Sequence, residues 1–193
     1  MASVVSICNS ALNQLGAASI TALTDNSKNA RLCNERYETV RDAVYRSHPW
    51  NCLIKRQQLA QDAATPAYGF TYQFTLPSDC LRLLNLDAYN SDHKVEGRKI
   101  LCNEASIKIA YISQVTDPNI MDVLLRETIS AGIAADLGYA ITANLQVSKL
   151  MQEKYQFKLS EARHADASEG YNVDPSNGQV DQILTEDFLN SRY

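Results

Sequence analysis

The chain has 193 residues, a net charge of −4 and a sequence pI near 5.4. That acidity argues against a dedicated nucleic-acid binder, which carries a basic excess, though not against a wall that merely lines a DNA path. Hydrophobic residues at 45% and charged residues at 21% describe an ordinary folded chain, long enough for one full core or for a domain carrying an inserted lobe.

The N-terminal MASVVSICNSALNQLG has neither the basic start nor the continuous apolar core of a signal peptide. Instead Val4, Ile7, Cys8, Ala11, Leu12 and Leu15 recur at steps of three and four until Gly16, which predicts a short amphipathic helix with a glycine stop. Asp25-Asn26-Ser27 offers capping side chains for a second helix. Its apolar stripe is Ala30, Cys33, Tyr37, Val40 and Val44, and Glu35, Glu38 and Asp42 lie on a polar outer face. This helix is expected to end near His48-Pro49, because the residue before proline avoids the α region.

After Trp50 the period changes. Phe70, Tyr72 and Phe74 alternate with Thr71, Gln73 and Thr75, the two-residue period of a strand. Pro77-Ser78-Asp79 turns the chain into an extended run through Leu81, Leu83, Leu84 and Leu86, and Asn90-Ser91-Asp92 marks another turn. Lys94-Val95 and Lys99-Ile100-Leu101 flank Glu96-Gly97-Arg98, a hairpin with glycine where φ must be positive. Ile107, Ile109 and Tyr111 complete an expected sheet of four or five strands.

Asp117-Pro118 is expected to open a third helix, with Met121, Leu125, Thr128, Ile129, Gly132, Ile133 and Asp136 on its stripe. Its small residues Ala131, Gly132, Ala134 and Ala135 permit close approach of a neighbour. Thr142 or Asn144 caps a fourth helix through Met151, Tyr155, Leu159 and Ala162, expected to fray near Ala167-Ser168. Past Gly170, Asp174-Pro175-Ser176-Asn177-Gly178 signals a turn or linker. The apolar clusters that follow, Ile183-Leu184 and Phe188-Leu189, suit an arm that orders against something else.

The expected fold is therefore α+β. It is an antiparallel bundle of about four helices (1–49 and 117–168), with an inserted antiparallel β lobe (50–116) and an extended C-terminal arm (169–193).

Chemistry is sparse. Cys8, Cys33, Cys52, Cys80 and Cys102 form no C-x-x-C pair, so free thiols folded in a reducing cytoplasm are expected, without a metal site. His48, His93 and His164 accompany no nucleophile or zinc motif and read as surface histidines. Glu35, Glu38 and Asp42 could serve a hydrolase, but Arg31, Arg36 and Arg41 stand at pairing distance, so a solvated helix face explains them better. Asp122, Glu127 and Asp136 follow no catalytic pattern. Lys55-Arg56, Arg82 and Arg98-Lys99 near Tyr68, Phe70, Tyr72 and Phe74 superficially suit a nucleic-acid platform, yet one buried sheet face is the simpler reading. No catalytic residue, cofactor or membrane span is expected.

Five segments occur in a fixed order over roughly residues 5–165: ICNSALNQLGAASITALTDNSKNA, RDAVYRSHPWNCLIKRQQLA, LPSDCLRLLNL, VEGRKIL and YISQVTDP leading into a helix. Together they resemble the tail tubular protein A family of short-tailed bacteriophages, the head-to-tail adaptors. The resemblance implies a non-enzymatic virion protein assembled in the host cytoplasm. It implies a dodecameric ring of identical subunits between the portal protein and the tail nozzle protein, around DNA that passes without sequence-specific binding. It also implies an arm that reaches the portal, carried here by Ile183, Leu184, Phe188, Leu189, Arg192 and Tyr193. Two other readings stay open at this point: a connector similar to a peptidoglycan hydrolase, and a non-viral helical protein-binding module.

Overall fold

The computed structural model describes residues 2–87 and 92–169. It is an α+β structure of four α-helices and two small antiparallel sheets. Helix α1 spans Val4–Gln14, and Ser3 and Ser6 cap each other's backbone reciprocally at its start. At its end Gly16 N–H donates to Asn13 and Ala17 N–H to Leu12, closing the last turn as the glycine stop predicts. Helix α2 spans Lys28–Arg46, with the Ser27 hydroxyl accepting from Ala30 N–H. A single 3-10 turn at Asn51–Leu53 follows.

Helix α3, Val123–Thr142, starts later than the Asp117-Pro118 signal suggests. Asp117 instead accepts from the Asn119 backbone and side-chain amides, and Ile120 N–H donates to its carbonyl, so 117–120 is a turn. The N-cap is Asp122, which accepts from Leu124 N–H. Ala143 takes the left-handed conformation and ends α3. Of the two candidate caps for α4, Leu145–Glu169, Asn144 is the one used, accepting from Gln146 and Val147 N–H. The helix continues through Ala167-Ser168, where fraying was expected.

α3 occupies the middle of the helices. Its positions 128–134 are all buried, because α1, α2 and α4 pack around it. A Cβ on Gly132 would stand 3.0 Å from Val40 of α2 and 3.3 Å from Tyr155 of α4. Thr128 and Lys158, Gly132 and Tyr155, and Gly138 and Ser148 are successive pairs, so α3 and α4 run antiparallel. α1 runs in the same direction as α3: Ala2 meets Asn119, Gln14 meets Ser130 and Leu15 lies near Gly138.

All six strands of the described residues lie between α2 and α3 in sequence: β1 (Ile54–Leu59), β2 (Tyr72–Thr75), β3 (Cys80–Leu86), β4 (His93–Glu96), β5 (Lys99–Cys102) and β6 (Ile107–Ser113). The single sheet of four or five strands expected above is in fact two, ordered β1-β6-β3 and β2-β5-β4. β1 escaped notice because Lys-Arg-Gln-Gln shows no apolar alternation; only Leu59 of this strand is buried. The β4–β5 hairpin turns at Gly97 and Arg98, both with positive φ, which matches the twist of an antiparallel pair.

Two cores result. The sheets share one: Phe74, Ile100 and Cys102 of the second sheet pack against Leu59, Cys80, Ile107, Ile109 and Tyr111 of the first. The other fills the space between helices and includes Trp50, Leu53 and Ile112, with Ile54, Leu81 and Leu84 packed on it. Register shifts in β3 allow Leu83 and Leu86 to reach the sheet core while Leu81 and Leu84 reach the helical one.

Candidate functional site

The expected docking residues Ile183, Leu184, Phe188, Leu189, Arg192 and Tyr193 lie outside the described residues, as does the Asn90-Ser91 part of one predicted turn. What remains is the chemistry and the exposed surface of the helices and sheets.

The most organised polar cluster joins the end of α2 to the end of α4. Pro49 ends the helix and the chain bends, placing His48, Trp50 and Asn51 against Asp166. His48 Nε2 lies 3.1 Å from Asp166 Oδ2, with both side chains largely buried. Asn51 N–H donates to Asp166 Oδ1 at 3.0 Å, and its side-chain amide donates to the Asp166 carbonyl at 2.7 Å. Trp50 Nε1 donates to the Val44 carbonyl, and the Arg163 guanidinium to the Ser47 carbonyl at 2.8 Å. His48 is thus no surface histidine; it also stands edge-on to Trp50, ring centres 4.8 Å apart. Nearby Cys52 is half-buried, and burial pushes its thiol up, away from the thiolate a nucleophile needs. Asp166 is occupied by its backbone partners, so the cluster holds two chain segments together.

The carboxylates of α2 do not converge. Glu35 and Glu38 are exposed, whereas Asp42 turns inward to accept from Arg41 Nε at 2.8 Å and from Gln114 at 2.7 Å. Arg41 is not on the outer face expected for it but buried between the rings of Tyr37 and Tyr45, 5.7 and 5.9 Å from their centres. Burial works against the Arg41 charge, but the Asp42 carboxylate more than offsets it. Burial also pushes the Tyr37 phenol up to about 12. Arg36 pairs across to Asp136 of α3 at 2.6 Å instead of with a carboxylate of its own helix.

Several of the basic residues between α2 and α3 are similarly engaged. Lys55 pairs with Asp79 at 2.7 Å, Lys99 with Asp62 at 3.0 Å, and Arg98 donates to the Pro77 carbonyl at 2.7 Å. Of the aromatic run, Phe74 is fully buried and Tyr68 is 89% exposed, so there is no continuous stacking platform. Between loop 66–70 and the outer face of the second sheet lies a cleft of about 330 Å³, lined by Phe70, Gln73, Lys94 and Lys99 among others. All five cysteines are free. The buried Cys8 thiol of α1 is pushed up by its contact with Cys33 of α2 and by burial. Among the described residues no His, Cys, Asp or Glu cluster suits a metal ion, and no helix is long and apolar enough to cross a membrane.

The remaining surface features are apolar. Ile120 and Val123 are exposed at the start of α3, and Tyr139 and Leu145 at the α3–α4 turn. Leu150 and Phe157 are exposed on the outer face of α4. The last pair was legible: both fall off the Met151, Tyr155, Leu159 stripe, and tracing only that stripe passed them over. These large apolar side chains are scattered over several faces.

The sequence matches no protein-family model and no curated protein.

Proposed function

We propose that the chain is a head-to-tail adaptor of a short-tailed phage. Identical copies form a ring between portal and tail nozzle, around a channel through which DNA passes without being gripped. The observation that carries this reading is the ordered run of segments resembling that family over roughly residues 5–165. The architecture is consistent with it: there are four helices, and two small antiparallel sheets lie between α2 and α3 in sequence, which we read as a bundle with an inserted β lobe offering a second contact surface. So is the surface, where Lys55, Lys99 and Arg98 are tied to carboxylates or carbonyls and exposed apolar side chains sit on several helix faces. Pairing of those three cations weakens the salt-dependent hold that a phosphate-binding patch would exert. Twelve copies, a portal-facing arm at 169–193 and a place in the virion neck belong to the same reading.

The arm provides the test. Full-length chain should retain the portal ring encoded in the same genome in a pull-down. Chain lacking residues 171–193 should retain far less, with its helicity by circular dichroism unchanged. Undiminished retention by the shortened chain would remove the arm from the portal contact.

A further inference from the structure

Packing does not account for the Gln73 side chain. It is 8% exposed and lines the cleft under loop 66–70, yet its amide makes no hydrogen bond among the described residues. Such amides are rare in folded chains, because burial removes the hydrogen bonds they make in water. The strand register explains its position. Phe74 and Ile100 face the core between the sheets, so Gln73 and Leu101, paired across β2 and β5, point outward, and Lys94 follows on β4. Two residues along, Lys99 and Glu96 form the next outward row. Phe70 and Leu101 give the cleft apolar walls, and Tyr68, which also lines it, is 89% exposed. The loop over this face is anchored, because Thr71 N–H and Oγ1 both donate to Asn103 Oδ1.

Charge selects the ligand. Lys94 pairs with Glu96 at 2.7 Å and Lys99 with Asp62 at 3.0 Å, so the two cations lining the cleft are neutralised one for one. A phosphate or carboxylate would have to displace one of those partners, whereas an uncharged ligand leaves both pairs whole. Each ammonium keeps donors to spare and each carboxylate keeps acceptors. The cleft thus combines aromatic and apolar walls, one open amide and polar groups with spare capacity. Its volume of about 330 Å³ lies in the range of small-molecule sites. A pyranose ring complements that set, with C–H groups on its face for an aromatic ring and hydroxyls around its edge for an amide, an ammonium and a carboxylate. We propose that the cleft binds one neutral pyranose unit of a glycan, its C–H face on Tyr68 and Phe70 and its hydroxyls on Gln73, Lys94 and Glu96. The inference goes beyond the adaptor reading and holds whether or not the chain forms a ring.

The test is a titration of the full-length, isotope-labelled chain followed by amide NMR. The probes are the methyl glycosides of glucose, galactose, mannose and N-acetylglucosamine. At least one should move the Gln73 side-chain amide and the Phe70 and Leu101 backbone amides along one saturating curve, which raised salt leaves unchanged. Gln73→Ala and Tyr68→Ala should each weaken that binding about fivefold, with the other resonances in place. Tyr68 is so exposed that its variant tests the site without disturbing the core. No saturating shift with any of the four glycosides, or binding undiminished in either variant, would overturn the proposal. So would tighter binding of glucuronate or of an uncharged capped tetra-alanine peptide at the same resonances.

Discussion

Asp166 shows how much one side chain can hold in place. It accepts from the Asn51 backbone while standing against His48, so the bend after α2 is fastened to the end of α4. Asp166→Ala leaves the largely buried His48 ring without its partner and releases the exposed Asn51 N–H to water. It should destabilise the chain by about 2 kcal/mol in urea unfolding, with the slope unchanged. Asp79 gives a second test. Burial pushes its carboxyl up, but hydrogen bonds from Lys55 and Tyr111 outweigh this and hold it below the usual carboxylate range. A carboxyl depressed by folding adds stability above its unfolded pKa of about 3.9, and that stability is lost as pH falls through the lower folded value. The stability gap between the native chain and Asp79→Asn should therefore be constant near neutrality and close below about pH 4. A gap that persists at pH 2 would show that Asp79 acts through packing.

At the scale of elements, α3 organises the helices by being small where its neighbours are large. Val40 and Tyr155 close over Gly132 from two sides, so a methyl group there makes their side chains give by a few tenths of an ångström in a packed core. Gly132→Ala should lower stability by about 1–3 kcal/mol despite alanine's better helix propensity. An unchanged or raised melting temperature would mean that Val40 and Tyr155 give way freely. Elements with a strong local signal could be read from sequence: the Ser27 cap, the Gly16 stop and the Gly97 hairpin all depend on a few adjacent residues. What escaped the sequence depends on distant partners. β1 carries Lys, Arg and Gln and is a strand because β6 pairs with it, so no local pattern announced it. Asp117-Pro118 has the chemistry of a helix start, but Asn119 satisfies Asp117 within a turn, and the cap passes to Asp122. Arg41 sits at a polar position by type, yet the rings of Tyr37 and Tyr45 enclose it.

For the whole molecule, the two cores meet across the first sheet. β3 contributes to both: its register shifts send Leu81 and Leu84 to the helices and Leu83 and Leu86 to the second sheet. A subunit built this way presents helices on one side and strands on the other, which suits the two-surface demand of the proposed ring. The proposed function rests on wording that no single motif explains. The most direct measurement is single-particle imaging of the purified chain mixed with the portal ring encoded in the same genome. The account predicts a closed ring of this chain stacked coaxially on the portal, its central channel open and its symmetry matching twelve subunits. Particles showing bare portal beside dispersed single chains, at concentrations well above those of assembly, would contradict it.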